Sequence, residues 1–396
     1  MKGYITTNGC PENRIDCAKI EVFLVNNGWT ITTNIIEADL IIFNSCGLTK
    51  GTEDQSVKII QLLNRKKRKD TKLILTGCLH HINRDRVEKN FQGDIFEYND
   101  LDRLSDLLKI QIPSKDLPAN YLIPERVTML GVGMKDYLSK LLHFNIYSFL
   151  TKVNRKKYKQ IWDSVSIVQP NTFYVKVCSG CSKSCSYCAV KLSRGATKSK
   201  PINKIKNEVI AGLEAGFKDF ALIGTDLGSY GVDRQCDLIE LLRELNSIDA
   251  DFHIKLRNVH PKLYIDNLPR FLDVLKPGKI NFMTSAVQSG NNRILNEMHR
   301  GYKIEDFIFA INSVKSAFPN FVIRTQIMVG FPGESDAEFQ DTVQLLDKVQ
   351  FNFIEVYNYS PRPGTLAATK LNQIPHLKAK KREFLLKKVV MKSMSS

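Results

Sequence analysis

The 396-residue chain carries 57 lysines and arginines against 41 aspartates and glutamates, a formal charge of +16. Its length exceeds what one compact core usually spans, which predicts more than one domain. A hydrophobic content of 43% and a charged content of 25% are those of an ordinary soluble globular protein, excluding fibrous and low-complexity classes. No apolar run is long enough to cross a bilayer, and Met1-Lys2-Gly3-Tyr4 lacks the apolar stretch of a signal peptide, so a cytoplasmic protein without a membrane partner is the expectation. The cationic excess favours a polyanionic partner, RNA first, against the alternative of a solvated basic surface. Nine cysteines in such a chain point to metal binding or redox chemistry rather than to disulfides.

In chain order, residues 1–120 alternate short apolar runs with amphipathic stretches, as βαβ units of a doubly wound parallel sheet do. Strands are predicted at 3–7, 40–44 and 72–76. Helices are predicted at 14–27, with Ile15, Ala18, Val22 and Val25 on one face and Gly28 as the stop, and at 52–63. The alternation fades over 121–169, a linker or insertion whose part 134–162 mixes aromatic and basic side chains. It resumes in 170–396 with strands at 173–177, 220–223, 253–256, 280–283, 322–329 and 353–357. Helices at 204–215, 237–245, 261–275, 304–317 and 335–348 separate them, the last opened by the capping-box pair Ser335 and Glu338. Six β/α repeats are too few for a closed eight-fold barrel and suit an open partial (β/α)6 barrel. The fold class is therefore α/β in both halves.

Two cysteine sets stand out. Cys181-Ser-Lys-Ser-Cys185-Ser-Tyr-Cys188 places three thiols on one tight loop just past the first strand of the second half. Three thiolates hold three irons of a four-iron cubane and leave the fourth iron open, which is what chelation of S-adenosylmethionine (SAM) requires. Cys178, three residues earlier, leaves open a four-thiolate zinc or fully ligated cluster site. Cys10, Cys46 and Cys78 each follow a predicted strand by two or three residues. Ligands gather at the C-terminal edge of a parallel sheet, so these three thiols are expected to converge on a second cluster. Cys17 and Cys236 are read as packing residues.

On these and further runs the sequence resembles the radical SAM methylthiotransferases over nearly its whole length. The first part does so through Thr7-Asn8-Gly9-Cys10-Pro11-Glu12-Asn13, Phe43-Asn44-Ser45-Cys46 and Thr76-Gly77-Cys78. The second does so through the cysteine loop with Ser193-Arg194-Gly195, then Gln288-Ser289-Gly290, Met298-His299-Arg300-Gly301-Tyr302, Val329-Gly330-Phe331-Pro332-Gly333-Glu334 and Tyr359-Ser360-Pro361-Arg362-Pro363-Gly364-Thr365.

The resemblance implies two [4Fe-4S] clusters. One, on Cys181, Cys185 and Cys188, cleaves SAM. The other, on Cys10, Cys46 and Cys78, carries the sulfur that becomes a methylthio group on an unactivated carbon. It further implies that Tyr187, Gly224, Arg257, Gln288 and Gly330 line the cofactor site, with Arg257 pairing with the SAM carboxylate. The partners implied are a flavodoxin- or ferredoxin-type electron donor, a sulfur donor and a tRNA or peptide substrate, the enzyme itself being a monomer. A tRNA adenosine near the anticodon is the leading substrate. A peptide or protein side chain is the alternative, and a zinc- or cluster-stabilised RNA-binding module is the non-enzymatic one.

The family's usual Thr-Asp before the GFPGE run is Thr325-Gln326 here, and its Leu-Pro-Leu before Gln-Ser-Gly is Ser285-Ala286-Val287. Its small all-β TRAM domain, expected after the barrel, is not expected in a sequence that stops at Ser396, soon after the basic stretch 378–388.

Overall fold

The computed structural model describes residues 1–110 and 171–393, the side chains of the last two excepted. The expected insertion 121–169 and its basic aromatic part 134–162 lie outside the described residues. Two compact units divide the rest. The first contains 1–110 with the short segments Ala189–Gly195 and Arg362–Gly364; the second contains 171–188, 196–361 and 365–393.

The first unit is a five-stranded parallel sheet. Its elements are β1 (Lys2–Thr7), α1 (Pro11–Asn26), β2 (Thr30–Ile31), β3 (Leu40–Ser45), α2 (Lys50–Lys66), β4 (Lys72–Gly77), α3 (Leu79–Ile82), α4 (Arg84–Glu88), β5 (Asp94–Ile95) and α5 (Leu101–Leu108), with strand order β2-β1-β3-β4-β5. Successive side chains of a strand face opposite sides, and here both sides are covered. Leu40 and Ile42 pack with Phe23, Leu24 and Leu104, while Ile41 and Phe43 pack with Ile59, Ile60, Leu63 and Val87. This is the doubly wound arrangement expected from the sequence.

Helix α1 begins three residues earlier than its apolar spacing suggests. Pro11, whose fixed φ suits a first helical turn, opens it instead of preceding it. Helix α2 also starts early, because Thr49 caps it: its hydroxyl accepts the Thr52 N–H at 3.2 Å.

The second unit contains β6 (Thr172–Lys176), β7 (Cys178–Ser179), α6 (Val190–Arg194, contributed to the first unit), β8 (Lys198–Ser199), α7 (Ile202–Glu214), β9 (Asp219–Ile223), α8 (Leu238–Asn246), β10 (His253–Leu256), α9 (Lys262–Asp266), α10 (Leu268–Leu275), β11 (Ile280–Thr284), α11 (Asn292–Glu297), α12 (Ile304–Ala317), β12 (Val322–Val329), α13 (Asp336–Lys348), β13 (Phe353–Asn358) and α14 (His376–Ser393). Six parallel strands run in the order β13-β12-β11-β10-β9-β6, and β7 pairs with β8 in a separate antiparallel ribbon. One large core, with Val175, Leu222, Ile254, Met283, Ile323 and Val356 against Leu241, Phe271, Phe307 and Leu345, covers one sheet face with helices. This is the open (β/α)6 arrangement.

One expectation fails in detail. The single helix predicted over 261–275 is two, broken at Asn267. Pro269 has no N–H to donate, and its ring collides with the carbonyl four residues back, so α9 cannot continue into α10.

Helix α14 buries Ala379, Arg382, Leu386 and Val390, a one-sided stripe at helical spacing, against the barrel. Arg382 Nη1 reaches Glu334 Oε2 at 2.7 Å, and the same oxygen receives the Gly330 N–H at 2.8 Å. Both side chains of the pair are fully buried. Arg382→Leu strands the Glu334 carboxylate and is expected to cost about 3–5 kcal/mol in urea unfolding. Arg382→Leu with Glu334→Gln should recover most of that loss. Equal instability of the single and double variants would show that the ion pair is not what holds α14.

Candidate functional site

In the first unit the three cysteines sit at the C-terminal ends of three adjacent strands. Cys10 caps α1 after β1, Cys46 directly follows β3, and Cys78 directly follows β4. The register pairs Thr7 with Asn44 and Ser45 with Gly77, so the strand ends are nearly level. Asparagines then fix the turns. Asn8 Oδ1 accepts the Cys46 N–H at 3.0 Å and the Ser56 hydroxyl at 3.1 Å, while Asn8 Nδ2 donates to Ser56 Oγ at 2.9 Å. Asn13 donates to Asn44 Oδ1 at 2.5 Å, and the Cys10 thiol lies 3.2 Å from Asn13 Oδ1. Gly77 has φ +100°, and a Cβ there would run into the Asn44 side chain and the Ser45 backbone. Only glycine lets β4 turn so that Cys78 N–H reaches the Ser45 carbonyl at 2.7 Å.

Burial first, and then the neighbouring Cys78, push the Cys46 thiol above its ordinary range. A buried cation serves the same group. Arg194 donates to Asp16 at 2.7 Å and to Asn13 Oδ1 at 3.1 Å, and lies 3.9 Å over the Tyr98 ring. Arg362 pairs with the buried Glu53, which also takes Arg86. Arg194 and Arg362 stand in the sequence as letters of two motifs, with nothing local to mark their roles. His80 and His81, which no motif marks, lie with their Nε2 atoms 3.5 and 2.7 Å from the Glu97 carboxylate.

In the second unit the Cys181–Cys188 loop is gripped from two sides. Ser186 N–H reaches the Met298 carbonyl at 3.1 Å, and the Ser186 hydroxyl reaches that of Glu297 at 2.7 Å. Arg300, fully buried, donates to Cys185 Sγ and to Tyr187 Oη at 3.4 Å each and to the Ala286 carbonyl at 2.6 Å. On the other side Asp226 Oδ1 accepts the Gly228 and His260 N–H groups at 2.9 and 3.1 Å, and Oδ2 accepts Ser229 Oγ at 2.6 Å and lies 3.8 Å from Cys181 Sγ. The Lys183 N–H points at Cys181 Sγ, 3.3 Å away. N–H donors aimed at two of the three sulfurs suit thiolates bound to iron, whose charge they share. Cys178 is buried on β7, its sulfur 3.5 Å from the Asp226 carbonyl. Cys17 is fully buried in the core, and Cys236 sits in the turn before α8.

The close approaches made by the motif glycines are to the protein itself. A Cβ on Gly224 would meet Cys178 Sγ at 2.5 Å, and one on Gly330 would meet Ala379 at 2.7 Å. Gln288 has φ +73° and bridges to β12 through its backbone, donating to the Gln326 carbonyl and accepting from Met328 N–H at 2.9 Å each. Asn258 and His299 share the left-handed backbone. Non-glycine residues are rarely held there, and such strain gathers at functional sites. Arg257 is buried on the inner face of the sheet, 4.9 Å over the Phe282 ring, and burial followed by the nearby Arg324 lowers it to about 10.

Comparison with known proteins agrees with this geometry. The Radical SAM superfamily matches residues 175–346, and the Uncharacterized protein family UPF0004 matches residues 2–96. A protein of Pyrococcus horikoshii named "Probable threonylcarbamoyladenosine tRNA methylthiotransferase" is 30% identical over 98% of this chain and 84% of its own length. The "Ribosomal protein uS12 methylthiotransferase RimO" of Thermosipho africanus is 28% identical over 96% of this chain and 81% of its own length. Among solved structures, the radical SAM methyltransferase TsrM of Kitasatospora setae has a TM-score of 0.58 at 12% identity, over 93% of this chain and 77% of that one, a likeness of fold. These relationships identify an enzyme that uses SAM and [4Fe-4S] clusters. The chain belongs to the radical SAM methylthiotransferase family.

Proposed function

We propose that the chain transfers a methylthio group to a tRNA adenosine near the anticodon, with Cys181, Cys185 and Cys188 holding the SAM-cleaving cluster and Cys10, Cys46 and Cys78 the auxiliary one. The observation that carries the assignment is the presence of one cysteine triad at the C-terminal edge of each parallel sheet. When bound, the first cluster supplies the electron that cleaves SAM, and the second supplies the sulfur that is transferred. The chain's own residues do the positioning. Arg300 fixes Cys185 and neutralises charge on its sulfur, while Asp226 ties the turn after β9 to Cys181. Asn8, Asn13 and Asn44 hold the three turns of the first unit. Three thiols in each set would hold a four-iron cluster by three of its irons, and the fourth would be left for a ligand other than the protein.

The tRNA reading draws on the threonylcarbamoyladenosine relative, on the charge of +16, and on α14. The face of α14 opposite its buried stripe exposes Lys380, Lys381 and Lys388, a basic surface suited to phosphates. A protein side chain is the second reading, favoured by the uS12 relative. An electron donor of flavodoxin or ferredoxin type and a sulfur donor complete the scheme. Among the described residues no helix is long and apolar enough to cross a membrane.

Three outcomes test this. Cys178→Ala should retain reductive SAM cleavage, whereas Cys185→Ala should abolish it; equal loss in both would indicate a four-thiolate site. Replacing Cys10, Cys46 and Cys78 together by alanine should leave 5′-deoxyadenosine formation intact and eliminate methylthio product, and surviving product would refute the sulfur-carrier role. Lys380→Ala, Lys381→Ala and Lys388→Ala combined should weaken tRNA binding at every sequence and flatten its logarithmic salt slope by about two to three. Mass spectrometry of nucleosides from cells with and without the protein then decides between tRNA and protein. A methylthio adenosine that disappears with the gene supports tRNA, and unchanged nucleosides shift the assignment to a protein side chain.

A further inference from the structure

The first unit carries a group of metal-ligating side chains that neither cysteine triad uses. In Leu79-His80-His81-Ile82 the two apolar residues stand three apart on α3 and are buried, Leu79 fully. The imidazoles between them are left on the other side of the helix, and both are part-buried. Glu97 arrives from a different strand. Register pairs Leu75 of β4 with Ile95 of β5, and the Phe96 N–H continues the ladder to the Leu75 carbonyl at 3.1 Å. Glu97 therefore leaves the sheet near the end of β4, where α3 begins.

Both segments are pinned independently of these three side chains. After α3, Asn83 accepts the Arg86 N–H at 3.3 Å as the cap of α4 and donates to the buried Glu53 at 3.1 Å. After β5, the Glu97 carbonyl accepts the Asp100 N–H at 2.9 Å, and Asp100 caps α5 by accepting the Arg103 N–H at 2.9 Å. The backbone thus sets the positions of the two imidazoles and the carboxylate.

The three side chains converge. His80 and His81 Nε2 lie 3.5 and 2.7 Å from the Glu97 carboxylate, and the two ring centroids are 3.9 Å apart. One donor atom from each residue lies within 4.8 Å of the other two. Adjacent helical residues do not ordinarily face one another, so two neighbouring rings turned onto one carboxylate is not a consequence of α3 alone. A hydrogen bond accounts for His81, at 2.7 Å. It does not account for His80. The Nδ1 of that ring is buried with no hydrogen-bond partner among the described residues, and 3.5 Å is longer than an ordinary N–H···O bond for its Nε2. A ligand shared between the ring and the carboxylate accounts for its place.

We propose that His80, His81 and Glu97 bind a divalent transition-metal ion, zinc, through two imidazole nitrogens and one carboxylate oxygen. Zinc bonds of about 2.0–2.1 Å put tetrahedral donor atoms about 3.4 Å apart, a spacing that the separations of 3.5 and 2.7 Å bracket. Imidazole donors select zinc over magnesium and calcium, which take oxygen. Three protein ligands leave a fourth position for water, and the Glu97 side chain is 45% exposed, so water reaches it. The ion ties the helix that follows Cys78 to the segment that follows β5. Its donors are nitrogen and oxygen, which sets it apart from both thiol triads, and it does not depend on the substrate assigned above.

The test uses the full chain, anaerobically loaded with its clusters so that iron already occupies the cluster thiols, then incubated with zinc alone and desalted. Zinc, iron and sulfide are counted, and zinc K-edge absorption reads the donor set. The wild type should retain one zinc per chain, with nitrogen and oxygen neighbours at about 2.0–2.1 Å and no sulfur at about 2.3 Å. His80→Ala, His81→Ala and Glu97→Gln should each lose that zinc and keep wild-type iron and sulfide. Glu97→Gln preserves the size of the side chain, so a loss of zinc alone in that variant reports the ligand and not the fold. A wild type that retains no zinc overturns the site, and so does a sulfur shell, which would place the ion on cysteine. Zinc retained in His80→Ala overturns it as well, leaving only the His81–Glu97 hydrogen bond. Should a variant lose iron along with zinc, the donor shell of the wild type decides.

Discussion

Parallel strands in register end together, and both candidate cluster sites are built on that constraint. In the first unit β1, β3 and β4 are neighbours, and the residues following them are Cys10, Cys46 and Cys78. Thiols far apart in sequence are brought to one edge by backbone hydrogen bonds that no cysteine helps to make. In the second unit the same edge collects the cysteine loop after β6, Asp226 after β9, His260 after β10 and Ala286 after β11. A cubane tolerates little misplacement of its ligands, so the precision must come from the sheet and from the polar groups pinning each turn.

Those pinning groups are mostly buried and charged or amide-bearing. Arg194, Arg300, Arg324, Arg362 and Arg382 are each nearly inaccessible, and each meets a carboxylate, a thiol or a carbonyl. A buried ion pair contributes little net stability, because desolvation offsets most of the Coulombic attraction. What it fixes is geometry, since a misplaced partner leaves a charge stranded. The pattern fits a scaffold whose task is to hold a few atoms in register. Most of its apolar packing is in one large core of the second unit and two smaller cores, one on each sheet face, in the first.

The nine longer strands, the six-fold repeat and the place of the cysteines just past strand ends are legible in the sequence, because each depends on local periodicity or on spacing from a strand end; the two-residue strands β2, β5, β7 and β8 are too short to show a period. Helix starts at Pro11 and Thr49 were less legible, since capping extends a helix beyond its apolar stripe. The break at Asn267 was signalled by Pro269, but apolar spacing on both sides of it suggested one helix. The buried arginines were present as motif letters. Their roles depend on partners dozens to hundreds of residues away, such as Arg362 with Glu53, and no local pattern encodes such pairings. Likewise, no local pattern shows which neighbour a glycine makes room for: Gly224 faces Cys178, and Gly330 faces Ala379.

The central claim is that each unit holds its own cluster on its own three thiols. Iron and acid-labile sulfide, with the Mössbauer spectrum, should be measured on anaerobically reconstituted wild type and on each of the two triple-alanine variants. The account predicts two four-iron clusters in the wild type and one in each variant, the remaining spectrum differing between them. A variant that loses both clusters despite a native fold, or a wild type that never holds more than one, would contradict it.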